Sequence, residues 1–317
     1  MAACDDLRVT PTLSLFLPNF SVDDPGGWEH LLARAAAADD AGVDRLVVVD
    51  HVVFGERLEE YGRPEVGGQA GGKQPTGPDG HWLEPLTLLT FLAARTERLR
   101  LATGILIAAL RRPVVLAKTA ATIDVLSGGR LDLGVGVGWQ REEYDAAGLA
   151  FEGRGRLLDE TLAICQTLWR DTDATVVVDG REVDHLHQMP KPRQEGGVPI
   201  WVSGRSNRLV VERVARFGAG WVPWGDDALN PGPGIARVRE AMEAAGRGDA
   251  ALEVTVGLPV VRGDDRSIDL PRTMDGVPAL VAAGVTNVQA SIPVPRDRAE
   301  ATDHLAALVA AFRDATR

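Results

Sequence analysis

The hydrophobic positions of the 317-residue chain fall into a repeating order of short and long segments. Short β-branched runs predict strands, and longer runs with apolar residues three and four positions apart predict the helices between them. Most short runs are unbroken, which is typical of parallel strands that are covered on both faces. Eight rounds can be counted, with predicted strands at Thr12–Leu17, Val43–Val49, Leu99–Ile107, Leu131–Val135, Pro199–Val202, Gly220–Pro223, Leu252–Val261 and Val285–Ile292.

Proline, glycine and small polar residues mark where the predicted helices begin and end. The first helix starts near Trp28 and stops before Gly42, a residue that tolerates the left-handed conformation of a helix C-cap. Another starts at Pro113, which is favoured in a first turn, and stops at Ser127–Gly129. The last helix carries one apolar stripe, formed by Leu305, Leu308, Val309 and Phe312. Eight strand–helix units in order favour an α/β fold of the (β/α)8 TIM-barrel class over an open sheet.

Two segments interrupt this order, and both are predicted to be insertions in one barrel domain that covers residues 1–317. Residues 54–82 are rich in glycine and proline, and a connection of this length is either a lid or a disordered loop. Residues 171–197 contain two β-prone runs around Asp179-Gly180, which predicts a small hairpin. Neither segment is expected to form a separate domain.

Composition and charge exclude several classes of protein. The formal net charge of −11 opposes binding to nucleic acid, so a phosphate site has to be local. The two cysteines, Cys4 and Cys165, provide neither a disulfide framework nor a metal-ligand spacing. No stretch approaches the roughly 20 apolar residues of a membrane helix, and Met1–Asp6 carries acids where a signal peptide carries bases. We therefore expect a cytoplasmic protein with no membrane or nucleic-acid partner.

Candidate chemistry follows the predicted strands, because the active site of such a barrel is built from the segments after the strands. Asp50-His51 follows the second strand, and a histidine beside a carboxylate can transfer protons near neutral pH, although the pair can also simply cap a turn. Gly104, within the third apolar run, marks either a bulge approached by a ligand or a packing position. Arg111 and Arg112 either draw an anion to this end of the barrel or are solvated.

Two later segments could concern a cofactor. Gly134–Trp139 resembles a dinucleotide-binding fingerprint, but Trp139 stands where the third glycine belongs, so a Rossmann site is rejected. Ser203–Arg208 opens a helix with small residues and two arginines, which fits either a phosphate cradle or an ordinary helix cap. His185 and His187 have no third ligand near them in sequence, so no metal site is predicted.

These motifs, taken together, closely resemble the luciferase-like monooxygenase superfamily, in particular its branch of F420-dependent oxidoreductases. The resemblance extends from the second strand to about Trp224. It rests on Asp50-His51, Leu101–Gly104, Arg112-Pro113, Ala117-Lys118, Asp124–Arg130, Gly134–Trp139, Glu142-Glu143, Arg154–Arg156, Asp159-Glu160, Pro190–Pro192 and Pro199–Val202.

The resemblance implies a (β/α)8 barrel that binds the deazaflavin coenzyme F420 or, as the alternative, FMN. The implied cofactor-binding residues are Asp50, Gly104, Ile105, Val137, Gly138, Gly204, Arg205 and Ser206. Among them, Gly104-Ile105 is expected to form a non-prolyl cis peptide behind the ring, and Gly204–Ser206 to hold the cofactor phosphate. His51 is implied to act as acid or base, and the chain to form a homodimer.

One departure from the family pattern bears on the substrate. Family members that oxidise a sugar phosphate carry a glutamate where this chain has Trp139, so the resemblance favours a larger apolar substrate here. Trp82, Trp139 and Trp224 are expected to line a pocket for an aromatic or lipidic molecule.

The leading hypothesis is an F420-dependent oxidoreductase that acts on a small organic substrate. The alternatives are an FMN-dependent two-component monooxygenase and a barrel that binds a flavin without turnover. A metal-dependent hydrolase is disfavoured, because the predicted strand ends lack clustered histidine and aspartate ligands.

Overall fold

The computed structural model describes residues 10–317, so Cys4 and the acidic segment Met1–Asp6 lie outside the described residues. The strands of these residues are β1 (Thr12–Phe16), β2 (Phe20–Ser21), β3 (Arg45–Val48), β4 (His81–Trp82), β5 (Arg100–Thr103), β6 (Leu131–Val135), β7 (Ala174–Val178), β8 (Arg181–Leu186), β9 (Ile200–Gly204), β10 (Gly220–Pro223), β11 (Glu253–Gly257) and β12 (Asn287–Ala290). Eight of them form a closed parallel barrel in the order β1-β12-β11-β10-β9-β6-β5-β3, with β3 paired to β1. The predicted (β/α)8 barrel is therefore confirmed.

The helices lie between the barrel strands, as the strand–helix pattern predicts. They are α1 (Glu29–Ala41), α2 (Pro85–Ala93), α3 (Pro113–Ser127), α4 (Arg141–Ala146), α5 (Arg154–Arg170), α6 (Arg208–Phe217), α7 (Asp226–Leu229), α8 (Gly232–Ala244), α9 (Leu270–Met274), α10 (Val277–Ala282) and α11 (Arg298–Ala315). The predicted limits of α1 and α3 are correct, and both helices end at a left-handed glycine, Gly42 and Gly128.

The inner face of the barrel strands carries polar side chains, and their outer face packs into an apolar layer. In β1, Leu13 and Leu15 are buried in the hydrophobic core, whereas Ser14 points to the opposite face and donates to Asn287 Oδ1 at 2.8 Å. The N-terminal ends of the strands hold buried charges, with Arg45 Nε 2.9 Å from Asp132 Oδ2. The barrel interior therefore contains hydrogen bonds and ion pairs where the unbroken apolar pattern predicts apolar packing.

Both interrupting segments carry secondary structure of their own. Residues 54–82 contain two 3-10 helices and end in β4, which pairs antiparallel with β2 through Phe20 and Trp82. In residues 171–197, β7 and β8 form the predicted hairpin, with Asp179 and Gly180 both at positive φ in the turn. No helix among residues 10–317 is long and apolar enough to span a bilayer.

Asp39, near the end of α1, links this helix to the segment that enters β5. Its Oδ1 accepts from the backbone N–H of Leu99 at 2.8 Å and Arg98 at 3.1 Å, and its Oδ2 accepts from Glu97 N–H at 2.7 Å. Burial raises the pKa of Asp39, but the three backbone donors lower it further, so the net shift is downward.

We expect Asp39→Ala to lower the free energy of unfolding by about 2–3 kcal/mol at pH 7, because buried N–H groups lose an ionised acceptor. Since the folded pKa is depressed, this stabilisation is complete above the unfolded pKa and disappears as the pH falls through the folded value. Urea unfolding at pH 7 and at acidic pH measures both effects. The matched control is Asp40→Ala, which removes an exposed ion pair to Arg298; equal losses for the two variants would contradict the assignment.

Candidate active site

His51, three residues beyond the end of β3, lies inside a cluster of aromatic rings. Its ring centroid is 4.4 Å from Phe54, 4.9 Å from Trp82 and 5.9 Å from Trp139. Its side chain is 9% exposed. The predicted catalytic histidine and two of the three predicted pocket tryptophans are thus brought together at the C-terminal end of the barrel.

A buried carboxylate, Glu143 of α4, lies behind His51. Glu143 Oε1 accepts from the backbone N–H of Val52 at 2.8 Å and lies 3.3 Å from His51 Nδ1. This second contact does not meet the geometry of a hydrogen bond, and among residues 10–317 both His51 Nδ1 and Glu143 Oε2 are buried without a hydrogen-bond partner. Catalytic contacts of this kind often tighten when a ligand binds.

Asp50 lies next to His51 in sequence, but its carboxylate contacts a different part of the barrel. Oδ2 accepts from Ile107 N–H at 2.8 Å and from Arg111, whose second terminal nitrogen lies 3.0 Å from Oδ1. Burial lowers the pKa of Arg111, but the hydrogen bonds to Asp50 and Glu84 and the charges of these two carboxylates raise it by more. Asp50 and Arg111 therefore form a buried ion pair that joins the end of β3 to the segment after β5.

The segments after β5 and β6 are rich in glycine and pack closely against each other. The Gly104–Ile105 peptide bond is cis, as the family resemblance implies. A Cβ on Gly104 would lie 2.4 Å from Val47 Cγ1, and a Cβ on Gly136 would lie 3.0 Å from Ile105 Cδ1. The predicted cofactor residues Gly104 and Ile105 thus pack directly beside Gly136.

Val137 and Gly138 continue the glycine-rich segment after β6. Val137 O accepts from the hydroxyl of Tyr144 at 2.7 Å, which fixes the segment to α4. Gly138 has φ +66°, and a Cβ there would lie 3.1 Å from Ile107 Cδ1. A glycine is needed at this position for both reasons.

The predicted phosphate loop follows β9 and already holds a carboxylate. The backbone N–H of Ser206 lies 2.6 Å from Asp227 Oδ2, and Ser206 Oγ lies 2.8 Å from Asp227 Oδ1. Arg237 also donates to Ser206 Oγ. Asn207 caps α6 by accepting from Val210 N–H at 3.1 Å, so the loop contains both an anion-binding position and a helix cap.

Residues 54–82 lie over this end of the barrel and contact several of its segments. The ring of Tyr61 is 5.5 Å from that of Trp139, and Trp224 Nε1 donates to Gly68 O at 3.1 Å. Burial raises the pKa of the Tyr61 phenol. Trp224 therefore contacts the covering segment rather than the rings around His51, unlike Trp82 and Trp139.

His185 and His187 lie on the β7–β8 hairpin, away from these residues. Both are exposed, and their nearest ring nitrogens lie 3.1 Å and 3.9 Å from the carboxylate of Asp173. Among residues 10–317, no three histidine, cysteine, aspartate or glutamate side chains are placed to hold a metal ion.

Residues 12–268 match the family of luciferase-like monooxygenases. The chain belongs to this family. It is accordingly an oxidoreductase, and the family resemblance that its motifs indicated is confirmed.

Two characterised relatives of this luciferase-like protein are dehydrogenases or reductases. A phthiodiolone/phenolphthiodiolone dimycocerosates ketoreductase of Mycobacterium kansasii is 31% identical over 79% of this chain and 68% of its own length. An F420-dependent glucose-6-phosphate dehydrogenase of Kineococcus radiotolerans is 30% identical over 72% of this chain and 67% of its own length.

Solved structures confirm the fold and include users of both cofactors. An F420-dependent secondary alcohol dehydrogenase, bound to an F420–acetone adduct, has a TM-score of 0.70 and 17% identity over 96% of this chain and 99% of its own. The FMN-bound oxygenating constituent of 3,6-diketocamphane monooxygenase from Pseudomonas putida has a TM-score of 0.66 and 15% identity over 95% of this chain and 97% of its own.

Proposed function

We propose that this luciferase-like enzyme uses F420 to transfer a hydride to or from a carbon atom of an apolar organic substrate. The observation that carries the proposal is the position of His51, a proton-transfer group among aromatic rings, one of which, Trp139, directly follows Gly138 in the glycine-rich segment after β6. A flat ring needs a surface without protruding side chains, and a transferred hydride needs an accompanying proton donor or acceptor nearby.

The residues present fit the ring of a deazaflavin. A Cβ on Gly104 would meet Val47 Cγ1 and one on Gly136 would meet Ile105 Cδ1, so glycine at both positions keeps these segments closely packed, and their backbone would serve as the floor for a fused ring. Phe54, Trp82 and Trp139 surround His51 with apolar rings. Together they would exclude water from the reacting carbon.

The loop after β9 also fits a phosphate. The backbone N–H and hydroxyl of Ser206 and the guanidinium of Arg237 converge on the carboxylate of Asp227, and the same donors suit a phosphate oxygen. A cofactor phosphate would have to share this position with Asp227 or displace it.

Bound F420 would supply the hydride chemistry, and His51 would handle the proton. Because His51 Nδ1 faces Glu143, its Nε2, which has no hydrogen-bond partner among residues 10–317, is left to exchange a proton with the substrate oxygen. The buried carboxylate of Glu143 would orient the ring and stabilise its protonated form.

The choice of F420 and of an apolar substrate draws on the relatives. The dehydrogenase of Kineococcus radiotolerans uses F420, and the Mycobacterium kansasii relative is a ketoreductase. In this chain Trp139 lies beside His51, which suits a carbonyl or alcohol with an apolar flank better than a sugar phosphate. The implied homodimer stays a prediction.

An FMN-dependent monooxygenase is the second candidate, because an FMN-bound oxygenating component shares the fold over nearly the whole chain. The apo-protein should be titrated with F420 and FMN, following quenching of each fluorophore. Tight binding of F420 and consumption of reduced F420 with ketones, or of oxidised F420 with alcohols, support the proposal. Tight binding of FMN alone supports the second candidate, and failure of both cofactors to bind contradicts both.

We expect Glu143→Gln to reduce kcat roughly tenfold or more with little change in KM, because a neutral amide no longer stabilises protonated His51. The glutamine can also donate to Nδ1, which moves the histidine proton to Nε2. 15N NMR of the imidazole nitrogens, with the His51 signals assigned by their loss in His51→Asn, measures this tautomer. Glu160→Gln, in α5, is the control: among residues 10–317 the Glu160 carboxylate accepts only from Asp179 N–H, at 3.0 Å. An unchanged tautomer and kcat in Glu143→Gln would contradict the positioning role.

A further inference from the structure

Asp227 occupies the donors that the proposed function assigns to the cofactor phosphate. Its two oxygens accept from Ser206 N–H at 2.6 Å and from Ser206 Oγ at 2.8 and 2.9 Å, and Arg237 lies 3.4 Å from Oδ1. The Asp227 side chain is 16% exposed. An anion bound at Ser206 therefore meets a fixed negative charge of the chain itself.

The charges around this loop leave a net value near +1. Arg237 carries one positive charge, and Arg205, beside Gly225, adds a second with no ion-pair partner among residues 10–317. Arg208 is already paired with Glu212 at 2.8 Å. The carboxylate of Asp227 cancels one of the two positive charges. Asp226 is exposed and makes no ion pair in the described part of the chain, so solvent screens its charge.

We infer that Asp227 is a specificity residue that makes this site prefer a singly charged phosphodiester to a doubly charged phosphomonoester. The inference rests on the proposed function, since it concerns the phosphate end of the same cofactor site. The phosphate of F420 is a diester with one negative charge, whereas that of FMN is a monoester with a charge of about −1.5 to −2 at pH 7. A net charge near +1 at this site complements the singly charged phosphodiester of F420.

The expected size of the effect follows from Coulomb's law. Two unit charges about 5 Å apart, at an effective dielectric constant near 20, change a binding constant by more than roughly 100-fold. Arg237 and dissolved salt reduce this, and we expect roughly tenfold for each negative charge on the phosphate. The binding affinity for a phosphate-free ligand should not depend on Asp227.

The test compares Asp227→Asn, which keeps the shape and loses the charge, with the unaltered chain. Dissociation constants are measured for riboflavin, FMN, F420 and the phosphate-free deazaflavin precursor of F420. We expect Asp227→Asn to tighten the binding of FMN roughly 30- to 100-fold and that of F420 roughly tenfold, and to leave the affinities of both phosphate-free ligands unchanged. Asp226→Asn is the matched control, because it changes the net charge equally at the adjacent exposed position and should leave all four constants unchanged.

The outcomes separate this inference from the proposed function. Three results would show that the specificity role is wrong while the proposed function stands. In Asp227→Asn, the affinities for FMN and F420 could rise equally, or the affinities for the phosphate-free ligands could rise as much as that for FMN. The third such result is a weaker binding of F420. If no ring system binds either protein, both fail. If Asp227→Asn does not fold, the affinities of the unaltered chain for FMN and riboflavin are compared instead. We expect FMN to bind less than roughly tenfold more tightly than riboflavin, and a larger difference overturns the inference.

Discussion

Replacing His51 with asparagine is expected to reduce kcat by about 10²–10⁴-fold, the usual contribution of a positioned general acid or base. The reason is that the proposed function makes His51 Nε2 the proton-transfer atom, and the His51 ring lies among the rings of Phe54, Trp82 and Trp139. Asparagine keeps a polar side chain of similar reach but cannot exchange a proton at neutral pH. Steady-state kinetics with F420 and the best substrate of a ketone and alcohol screen measure the loss.

The binding of F420 should change little in His51→Asn, because the glycine-rich floor and the Ser206 loop remain intact. This separates proton transfer from assembly of the site. A parallel loss of F420 affinity would show that His51 supports the pocket rather than the reaction. Unchanged turnover would remove His51 from the chemistry and favour the alternative of a barrel that binds its cofactor without catalysis.

Sequence reasoning predicted those candidate site residues that lie directly after strands. His51 and Gly204–Ser206 could be found because the C-terminal ends of parallel barrel strands converge. The residues that contact these segments, Glu143 and Asp227, could not be found in this way. Glu143 meets Val52 across 91 residues of chain, and Asp227 meets Ser206 across 21, and no periodicity encodes such contacts.

The contact between Asp50 and Arg111 could not be predicted from the sequence either. The sequence placed both residues at strand ends, with Asp50 beside the cofactor and Arg111 either drawing an anion or solvated. The structure pairs the two across 61 residues. Charge complementarity between them is visible only once the ends of β3 and β5 lie side by side.

Hydrophobic patterning predicted the number and order of the strands better than their ends. The third run was predicted to continue to Ile107, but β5 ends at Thr103. Leu106 and Ile107 are nevertheless buried, and Leu106 keeps a single bridge to Val135. The apolar pattern reports burial, and burial here continues past the end of the strand.

The same patterning did not predict the buried charges at the opposite end of the barrel. Asp132 is 1% exposed and binds two guanidinium groups, with Arg45 Nε at 2.9 Å and Arg100 Nε at 2.8 Å. The hydrogen bond from Arg100 to Asp132 raises the pKa of that arginine, although burial opposes the shift. Arg45, itself buried, also stacks on Trp201 with its guanidinium carbon 3.7 Å from the ring centroid.

Replacing Asp132 with alanine is therefore expected to lower the free energy of unfolding by about 3–5 kcal/mol, because removing one partner leaves buried charge uncompensated. Arg45 keeps only Glu253, at 3.1 Å, as an ion-pair partner. Urea unfolding followed by far-UV circular dichroism measures the loss, and Asp132→Asn replaces the alanine variant if that variant does not fold.

Glu212→Ala, which breaks the exposed pair with Arg208, is the control, and it should lower the free energy of unfolding by less than about 1 kcal/mol. A loss of that small size for Asp132→Ala would contradict the assignment. Since Asp132 lies at the N-terminal ends of the strands, F420 affinity of the folded variant should stay unchanged, which separates stabilisation of the barrel from chemistry at its other end.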